Sequence, residues 1–570
     1  MLISILFTTC LSLFDCSNKL SDFLGDAAFA YREIYLAEGR GEEGKELGLN
    51  QVDDDWGLWG HHLGVVLPPD APPSVFASVN GRTFNEQFCF SSDRLYQYIV
   101  EYINDNYGTK ETRRFAILPN DNNYACQCHL CVAKGCTASN AAPAVETMLE
   151  RLATTFPNHI FFTSSYLTTR SVPNHRMPAN TGVLISAIDY HLSVKATPQE
   201  AAFEELLKQW HAVTDHIYIW DYINNFDDYF TPYPVFTIMQ RRFQLYQRNG
   251  VQGIFLNGSG SDYSTFSRLK THVLAALLKD PDTDWREVLT NKCKEFYPVT
   301  GELVAQFLLS QEDYVARVGK PLPLYEGVAA SRHIYFDEAA FLKFHQELRK
   351  LLPETQDSEK TEMSRMCRAM MLTVLELKRL NAQTDDTNDL LHRLSTVSRE
   401  GARIYSESFW TVDSYVEDYQ TMLHAYQEMR GKNRLRGVQL TPLTGLDEEY
   451  RDVSILTDGL LGLPSNYHCG QLLSSADPWL RLAIPNTQGL RHLRVCLTHN
   501  VQCHIAVPQR VTLSIGDHEI ASVVPTARQG VAQHTYVDFD IPASASGTLI
   551  LTLIRNKEER TMAIDEVYGW

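Results

Sequence analysis

The chain has 570 residues, 44% of them hydrophobic and 21% charged, the composition of an ordinary globular protein at a length that exceeds one typical domain. Its formal charge of −18 argues against nucleic acid or an anionic membrane surface as the main partner, since both need a basic face. Aromatic residues make up 11%, with 27 Tyr and 8 Trp, a supply that suits stacking on sugar rings.

Residues 2–14, LISILFTTCLSLF, form an apolar run too short to span a bilayer and of the size of a secretory signal core. The expectation is an exported protein, periplasmic, cell-surface or extracellular, with residues 1–24 as a signal-like segment and lipidation of Cys16 left open. No later run reaches membrane-spanning length. Residues 29–36, FAYREIYL, read as a strand ending near Glu33. A Gly- and acid-rich loop leads to WGLWGHHLGVVLPP, which sets Trp56, Trp59, His61 and His62 together. Adjacent histidines point in different directions on any regular element, so they are no metal pair by spacing. For His61, ligand contact and structural packing both stay open.

The spacing of Leu95, Ile99, Tyr102 and Ile103 predicts a helix over 92–107, with Ser91–Ser92 as its cap. A strand over 115–118 ends at Asn120 and Asp121. ACQCHLC follows with Cys126, Cys128 and Cys131, and Cys136 comes soon after. Zinc, a disulfide and buried free thiols all remain open here, and no metal or cofactor is assigned. A helix over 142–156 and strands over 159–167 and 182–192 come next, the last carrying Asp189, Tyr190 and His191 at its end. After a helix over 198–212 comes HIYIWDYINNFDDYFTPYP, residues 216–234. Its apolar start, Ile217–Trp220, reads as a buried strand. It opens into Asp221, Asn224, Asn225, Asp227 and Asp228 among Trp220, Tyr222, Phe226, Tyr229 and Phe230. Carboxylates move protons, amides bind hydroxyls and flat rings stack on pyranose faces, so this mixture suits a sugar pocket. A solvated loop with core aromatics is the competing reading. A helix over 235–249 stops at Asn249–Gly250. A strand over 251–256 leads into an NGSGS loop without the Lys-Ser/Thr of a phosphate loop, and then into a helix over 264–279.

Strand, loop and helix thus repeat from residue 29 to 280. The pattern predicts a parallel sheet with outer helices, a (β/α)8-type, TIM-like barrel over 25–283, with a doubly wound open sheet as the alternative. Glu33, Asn120, Asp121, Asp189, Asp221 and Asn257 all follow the C-terminal ends of these strands, the face where barrels keep their chemistry. Residues 284–438 carry helix-period apolar positions and read as a helical domain. Residues 439–570 alternate with period two in WLRLAIP, HLRVCLTH, RVTLSIG, YVDFDIP and TLILTLIR, which predicts a jelly-roll β-sandwich. The fold class is therefore multidomain, α/β plus all-β.

These motifs carry a resemblance. FAYRE (29–33), WGHH (59–62), PNDNNYACQCHLC (119–131), IWDYINNFDDYFTPYPVF (219–236) and GVQGIFLNGSGSDYSTF (250–266) resemble the bacterial proteins grouped under the uncharacterised domain DUF4838. Part of that group became glycoside hydrolase family 163, endo-β-N-acetylglucosaminidases acting on complex N-glycans. TDGLLG (457–462), SNYH (465–468) and the strands after them resemble a discoidin-like, galactose-binding module of the kind appended to many glycosidases. One departure stands out. Many members of the wider group carry Glu-Gln after the last strand, where this chain has Leu256–Asn257.

The resemblance implies a glycoside hydrolase acting on N-acetylhexosamine-containing glycans. Glycoside cleavage uses two carboxyl groups around the anomeric carbon, or one carboxyl acting with the substrate's own acetamido oxygen. The candidate catalytic residues are Asp221 and the adjacent pair Asp227 and Asp228. Candidate substrate-binding residues are Glu33, His61, Asp121, Asp189, Tyr190, Tyr222, Asn224 and Asn257. The expected partner is an oligosaccharide, with no nucleic acid and no membrane span, and the oligomeric state stays open. The competing function is carbohydrate binding without catalysis.

Overall fold

The computed structural model describes residues 27–570 except 384, 448–451, 467–469, 476, 486–488, 529 and 557–560. The expected signal run, Cys16 and the Tyr467–His468 half of SNYH lie outside the described residues. The chain forms two units. The first comprises residues up to Asn224, Tyr233–Ser261 and Phe266–Leu322; the second comprises Asn225–Pro232, Asp262–Thr265 and Pro323–Trp570.

The first unit is built on β1 (Tyr31–Tyr35), β2 (Trp56–Leu58), β5 (Arg114–Ala116), β6 (Ile160–Ser165), β7 (Thr181–Ser186), β8 (His216–Tyr222) and β9 (Gly253–Asn257). Between β2 and β5 lies a separate hairpin, β3 (Phe76–Val79) with β4 (Arg82–Phe88). The seven strands pair in the order β1-β9-β8-β7-β6-β5-β2, every ladder parallel. Helices Asp93–Asn106, Ala142–Thr155, Pro198–His211, Phe236–Arg248 and Ser267–Lys279 connect them. The first of these starts where Ser92 accepts a hydrogen bond from Leu95 N at 3.3 Å, and it buries Leu95, Tyr98, Ile99 and Ile103.

Side chains alternate across a strand. The register Glu33↔Phe255 and Trp220↔Phe255 therefore places Tyr31, Glu33 and Tyr35 on one face with Tyr218, Trp220, Tyr222, Phe255 and Asn257. Ile217, Ile219 and Asp221 occupy the opposite face. The first face is concave. Tyr31, Trp56, Ala116, Leu118, Phe162, Leu184 and Tyr218 form a single buried cluster on it. β1 and β2 are the two sheet edges, yet Trp56 Nε1 donates to Tyr31 OH at 2.9 Å. The sheet thus curls until its edges meet through side chains.

Where the sequence pattern predicts eight strands, the described residues carry a curled seven-stranded sheet with no ladder between β1 and β2. The reason lies in residues 36–91. After β1 the acid-rich loop forms only the short helices Glu42–Glu46 and Val52–Asp55, and after β2 the chain leaves the sheet to build the β3–β4 hairpin. No further strand and full-length helix are made there.

Helices Trp285–Phe296 and Gly301–Val318 also belong to the first unit. Glu312 on the second of them accepts from Phe236 N at 2.8 Å and Thr237 N at 3.0 Å, capping the helix that follows β8.

The second unit has a helical part, Glu338–Leu351, Asp357–Ala369, Met371–Leu380, Thr387–Thr396 and Val412–Met429. Inside it Glu376 and Arg379 form an ion pair with side chains 4% and 3% exposed, and Tyr415 OH donates to Glu376 at 2.8 Å. Two antiparallel sheets follow. One orders β10 (Thr441–Pro442), β12 (Trp479–Ile484), β17 (Leu549–Ile554), β14 (Arg510–Ile515) and β15 (His518–Val523). The other orders β11 (Leu472–Ser474), β18 (Met562–Gly569), β13 (His492–His499) and β16 (Gln533–Asp540). Both turn their apolar alternates into one core that includes Leu482, Leu513 and Leu551 from the first sheet and Val495, Phe539 and Ile564 from the second. Among the described residues no helix is long and apolar enough to cross a membrane.

Candidate active site

The C-terminal strand ends of the first unit bring several polar groups together. The loop after β5 carries Asn120 and Asp121, the loop after β6 carries Tyr166 and Arg170, and the loop after β7 carries Asp189. Tyr166 is the hub. Burial raises the pKa of its phenol well above the ordinary value, the charge of nearby Asp121 raises it further, and Asp189 adds to this. The phenol therefore stays protonated, with both carboxylates near it. Arg170 donates through Nη2 to Asp189. The ring of His61, from the loop after β2, lies 6.1 Å from that of Tyr166. His61 Nδ1 is 2.6 Å from Pro119 O, and since a carbonyl only accepts, Nδ1 carries a hydrogen.

The loop holding Tyr166 and Arg170 is tightly determined. Leu167 adopts φ +43°, a left-handed conformation that costs a non-glycine residue energy. Ser164 Oγ to Thr169 Oγ1 at 2.8 Å and Ala141 N to Thr168 O at 2.8 Å hold it there. Beside it, Ser165, Arg170, Ser186, Asp189 and Tyr190 line a cleft of about 310 Å³.

Below the rim the concave face is aromatic. Trp59 stacks on Trp220 with ring centroids 5.1 Å apart and planes 5° from parallel, and Phe255 packs against both. Tyr222 OH meets Ser186 Oγ at 3.1 Å. Asn257 pairs in register with Tyr35 on one side and Tyr222 on the other, half-buried at the end of β9. Glu33 is 1% exposed; Tyr31 OH donates to its Oε2 and Val52 N to its Oε1 at 2.9 Å. Burial pushes its carboxyl up to about 8, so it is a neutral acid at pH 7.

Asp221 requires a correction. The strand reading ends at Trp220, but β8 continues to Tyr222, so Asp221 sits inside the strand and on its convex face. There it is 0% exposed, ion-paired with Arg242 and hydrogen-bonded by Tyr246 OH at 2.7 Å, both from helix Phe236–Arg248. A group so engaged is an anchor between sheet and helix and does not reach the concave face.

Asp227 and Asp228 belong to the second unit. Asp228 accepts from Phe230 N at 2.9 Å, Thr231 N at 3.0 Å and Thr231 Oγ1 at 2.5 Å, and burial raises its pKa to about 6. Asp227 accepts from Glu326 N at 2.7 Å. Both thus order backbone within that unit.

Tyr190 is buried: its ring stacks on Phe203, its OH bonds Glu200 at 3.0 Å, and the Arg242 guanidinium covers it at 4.1 Å. Asn224 is buried too, accepting from Lys270 Nζ at 2.8 Å. Of the residues singled out from sequence, the first unit therefore gathers His61, Asp121 and Asp189 around Tyr166. It sets Glu33, Tyr222 and Asn257 on the concave face and leaves Asp221 on the other. Tyr166 and Arg170 went unnoticed in the sequence, although Tyr166 follows a strand end just as Asp121 does.

Residues 52–309 match the family model of DUF4838, a domain of unknown function. That span contains the strand-end cluster. No curated protein matches the sequence. Among solved structures, a family GH115 4-O-methyl-α-glucuronidase with specificity for decorated arabinogalactans aligns at 10% identity and a TM-score of 0.36. The alignment covers 84% of this chain and 66% of that one, so the chain spans just under two thirds of its length. The lectin domain of lectinolysin complexed with Lewis B antigen aligns at 16% identity over 25% of this chain and 96% of its own, TM-score 0.19. CBM32-1 from a family 31 glycoside hydrolase of Clostridium perfringens aligns at 12% identity over 24% of this chain and 98% of its own, TM-score 0.17.

Proposed function

We propose that this chain is a glycoside hydrolase whose reaction takes place at the strand-end rim of the first unit, on glycans that contain N-acetylhexosamine. The observation that carries the reading is the Asp189 carboxylate held by Arg170 beside the cleft at the strand ends, with Asp121 and Tyr166 close by. Two carboxylates at the same end of the sheet, one after β5 and one after β7, are the minimum equipment of glycoside cleavage, and the stacked Trp59–Trp220 pair supplies a flat surface for a pyranose. The resemblance of the strand-end motifs to family 163 supports the same class.

In this reading the acetamido oxygen of the substrate attacks the anomeric carbon. Asp189, fixed by Arg170, accepts from the acetamido N–H. Asp121, beside Tyr166, enters the reaction in its protonated form, gives that proton to the departing glycosidic oxygen and then, as a carboxylate, takes one from the incoming water. The roles first given to Asp221, Asp227 and Asp228 pass to this pair because the three are committed to Arg242 and to backbone N–H groups. A barrel-like architecture goes with the proposal, its last seam closed by side chains of β1 and β2. So do export, on the strength of the apolar N-terminal run, and a glycan-binding role for the C-terminal sandwich.

Leu256–Asn257 favours a second reading, binding without turnover, because many members of the group this chain resembles carry Glu-Gln there, so leucine stands in place of their carboxylate. Incubation of the purified protein with N-glycans, mucin O-glycans and glycosaminoglycan fragments, read by mass spectrometry, separates the two. A fragment released at an N-acetylglucosamine linkage supports the hydrolase. Binding with no product across the panel supports the lectin-like reading.

A further inference from the structure

The cysteines that the sequence left open are joined by a residue from elsewhere. Cys89 follows β4, and its sulfur lies 3.6 Å from Cys128 Sγ and 3.8 Å from Cys131 Sγ. With Cys126 these make four sulfurs, all within 4.8 Å of one another. A hairpin makes the meeting possible. Asn80 and Gly81 take φ +50° and +76°, the turn that an Asn-Gly pair favours, and β4 runs back to deliver Cys89. The segment bearing the other three is pinned to the same hairpin: Gln127 N donates to Ser78 O at 2.7 Å and Asn80 N to Gln127 Oε1 at 3.2 Å.

The dimensions discriminate between chemistries. A disulfide holds two sulfurs about 2.05 Å apart. Four thiolates on a tetrahedral zinc ion, with Zn–S near 2.3 Å, lie about 3.8 Å apart along each edge. The observed 3.6 and 3.8 Å match the tetrahedral edge. The surroundings suit thiolates as well. Ser78 N donates to Cys126 Sγ at 3.3 Å, and Ser91 Oγ lies 3.1 Å from Cys131 Sγ, able to donate to it once that sulfur is ligated. Cys89, Cys126 and Cys131 are buried. Between Pro119 and Ala141 the chain makes just one short helix, His129–Ala133, so this long connection has little regular structure of its own to hold it.

We propose that Cys89, Cys126, Cys128 and Cys131 form a structural zinc site that fastens the loop after β5 to the β3–β4 hairpin. All four positions of the tetrahedron come from the protein, so the site is closed and structural. The loop it fastens is the one that presents Asp121. Gln87, two residues before Cys89, reinforces the link, donating to Asn120 O at 3.1 Å and accepting from Asn120 N at 3.0 Å. The proposal does not depend on the hydrolase reading.

The test is elemental analysis of the full chain purified under reducing conditions without chelator, together with Cys89→Ser and Cys136→Ser. Cys136 is a buried neighbour that donates to Ala141 O and lies outside the tetrad, so it serves as the control. The expected result is one zinc per chain in the wild type and in Cys136→Ser, and loss of it in Cys89→Ser. Should Cys89→Ser fail to fold, wild-type protein titrated with an organomercurial should release its single zinc as four thiols react. Exchange for cobalt should give the strong visible bands of a tetrahedral thiolate site. A folded, metal-free wild type overturns the proposal, as does retention of the metal by Cys89→Ser or peptide mapping that finds these four cysteines in disulfides.

Discussion

Replacing Glu33 by Gln should change how stability depends on pH. In the folded chain burial keeps this carboxyl neutral up to about 8, against an ordinary value of 4.5. On unfolding it ionises at the ordinary value. Between those limits the folded state holds a proton that the unfolded state has lost, so stability falls as pH rises. Below pH 4.5 both states are protonated and the penalty vanishes; above pH 8 both are ionised and it is constant. Each pH unit is worth about 1.4 kcal/mol, so the window amounts to about 5 kcal/mol. Gln is uncharged throughout, and its carbonyl can still accept from Val52 N. The stability of Glu33→Gln relative to wild type should therefore rise by about 5 kcal/mol from pH 4.5 to pH 8. Urea unfolding at closely spaced pH values reads this, with tryptophan fluorescence as the signal, since Trp56 bonds the same Tyr31 hydroxyl as Glu33. Parallel curves for the two proteins would refute the reasoning, because they would mean that Glu33 is already ionised in the fold.

Arg242→Met should destabilise the first unit by about 3–5 kcal/mol, since it strands the buried Asp221 carboxylate with only Tyr246 and a backbone N–H for partners. Wild-type stability in that variant would contradict the anchoring role. Trp59→Ala should weaken glycan binding roughly tenfold, about 1.4 kcal/mol, with the circular dichroism spectrum unchanged. Calorimetric titration showing full affinity would remove the stacking surface from the account. Burial lowers Lys270 to about 7, so its folded form sheds a proton that the unfolded form keeps until its ordinary value of 10.5. Stability should rise with pH across that window. Lys270→Met should abolish the rise, and an unaltered slope in the variant would assign it to other groups.

The alternation of strand and helix from residue 29 to 280 was legible because buried parallel strands and amphipathic helices have different periods. Asp121 and Asp189 were legible by the same logic, as polar residues just past strand ends. Asp221 was misjudged by two residues of strand length: once β8 reaches Tyr222, the alternation that turns Trp220 and Tyr222 to the concave face turns Asp221 to the helices. Tyr166 escaped because it ends an apolar run and looks like part of it. Cys89 escaped for another reason. Its partners are far along the chain, and their meeting rests on a hairpin whose Asn80–Gly81 signal was readable but whose register with the Cys126–Cys131 segment was not. The membership of residues 225–232 in the second unit is likewise a matter of contacts distant in sequence, among them Phe226 N to Leu324 O and Tyr229 N to Tyr405 O.

The central claim is that glycan cleavage takes place between Asp121 and Asp189. The direct measurement is turnover of a released-fragment substrate by wild type, Asp121→Asn and Asp189→Asn at equal concentration, with glycan binding recorded for each. The account predicts that both variants fold and bind but lose turnover by two orders of magnitude or more, roughly what removal of a general acid–base group costs. Turnover at the wild-type rate in both would place the chemistry elsewhere and contradict it.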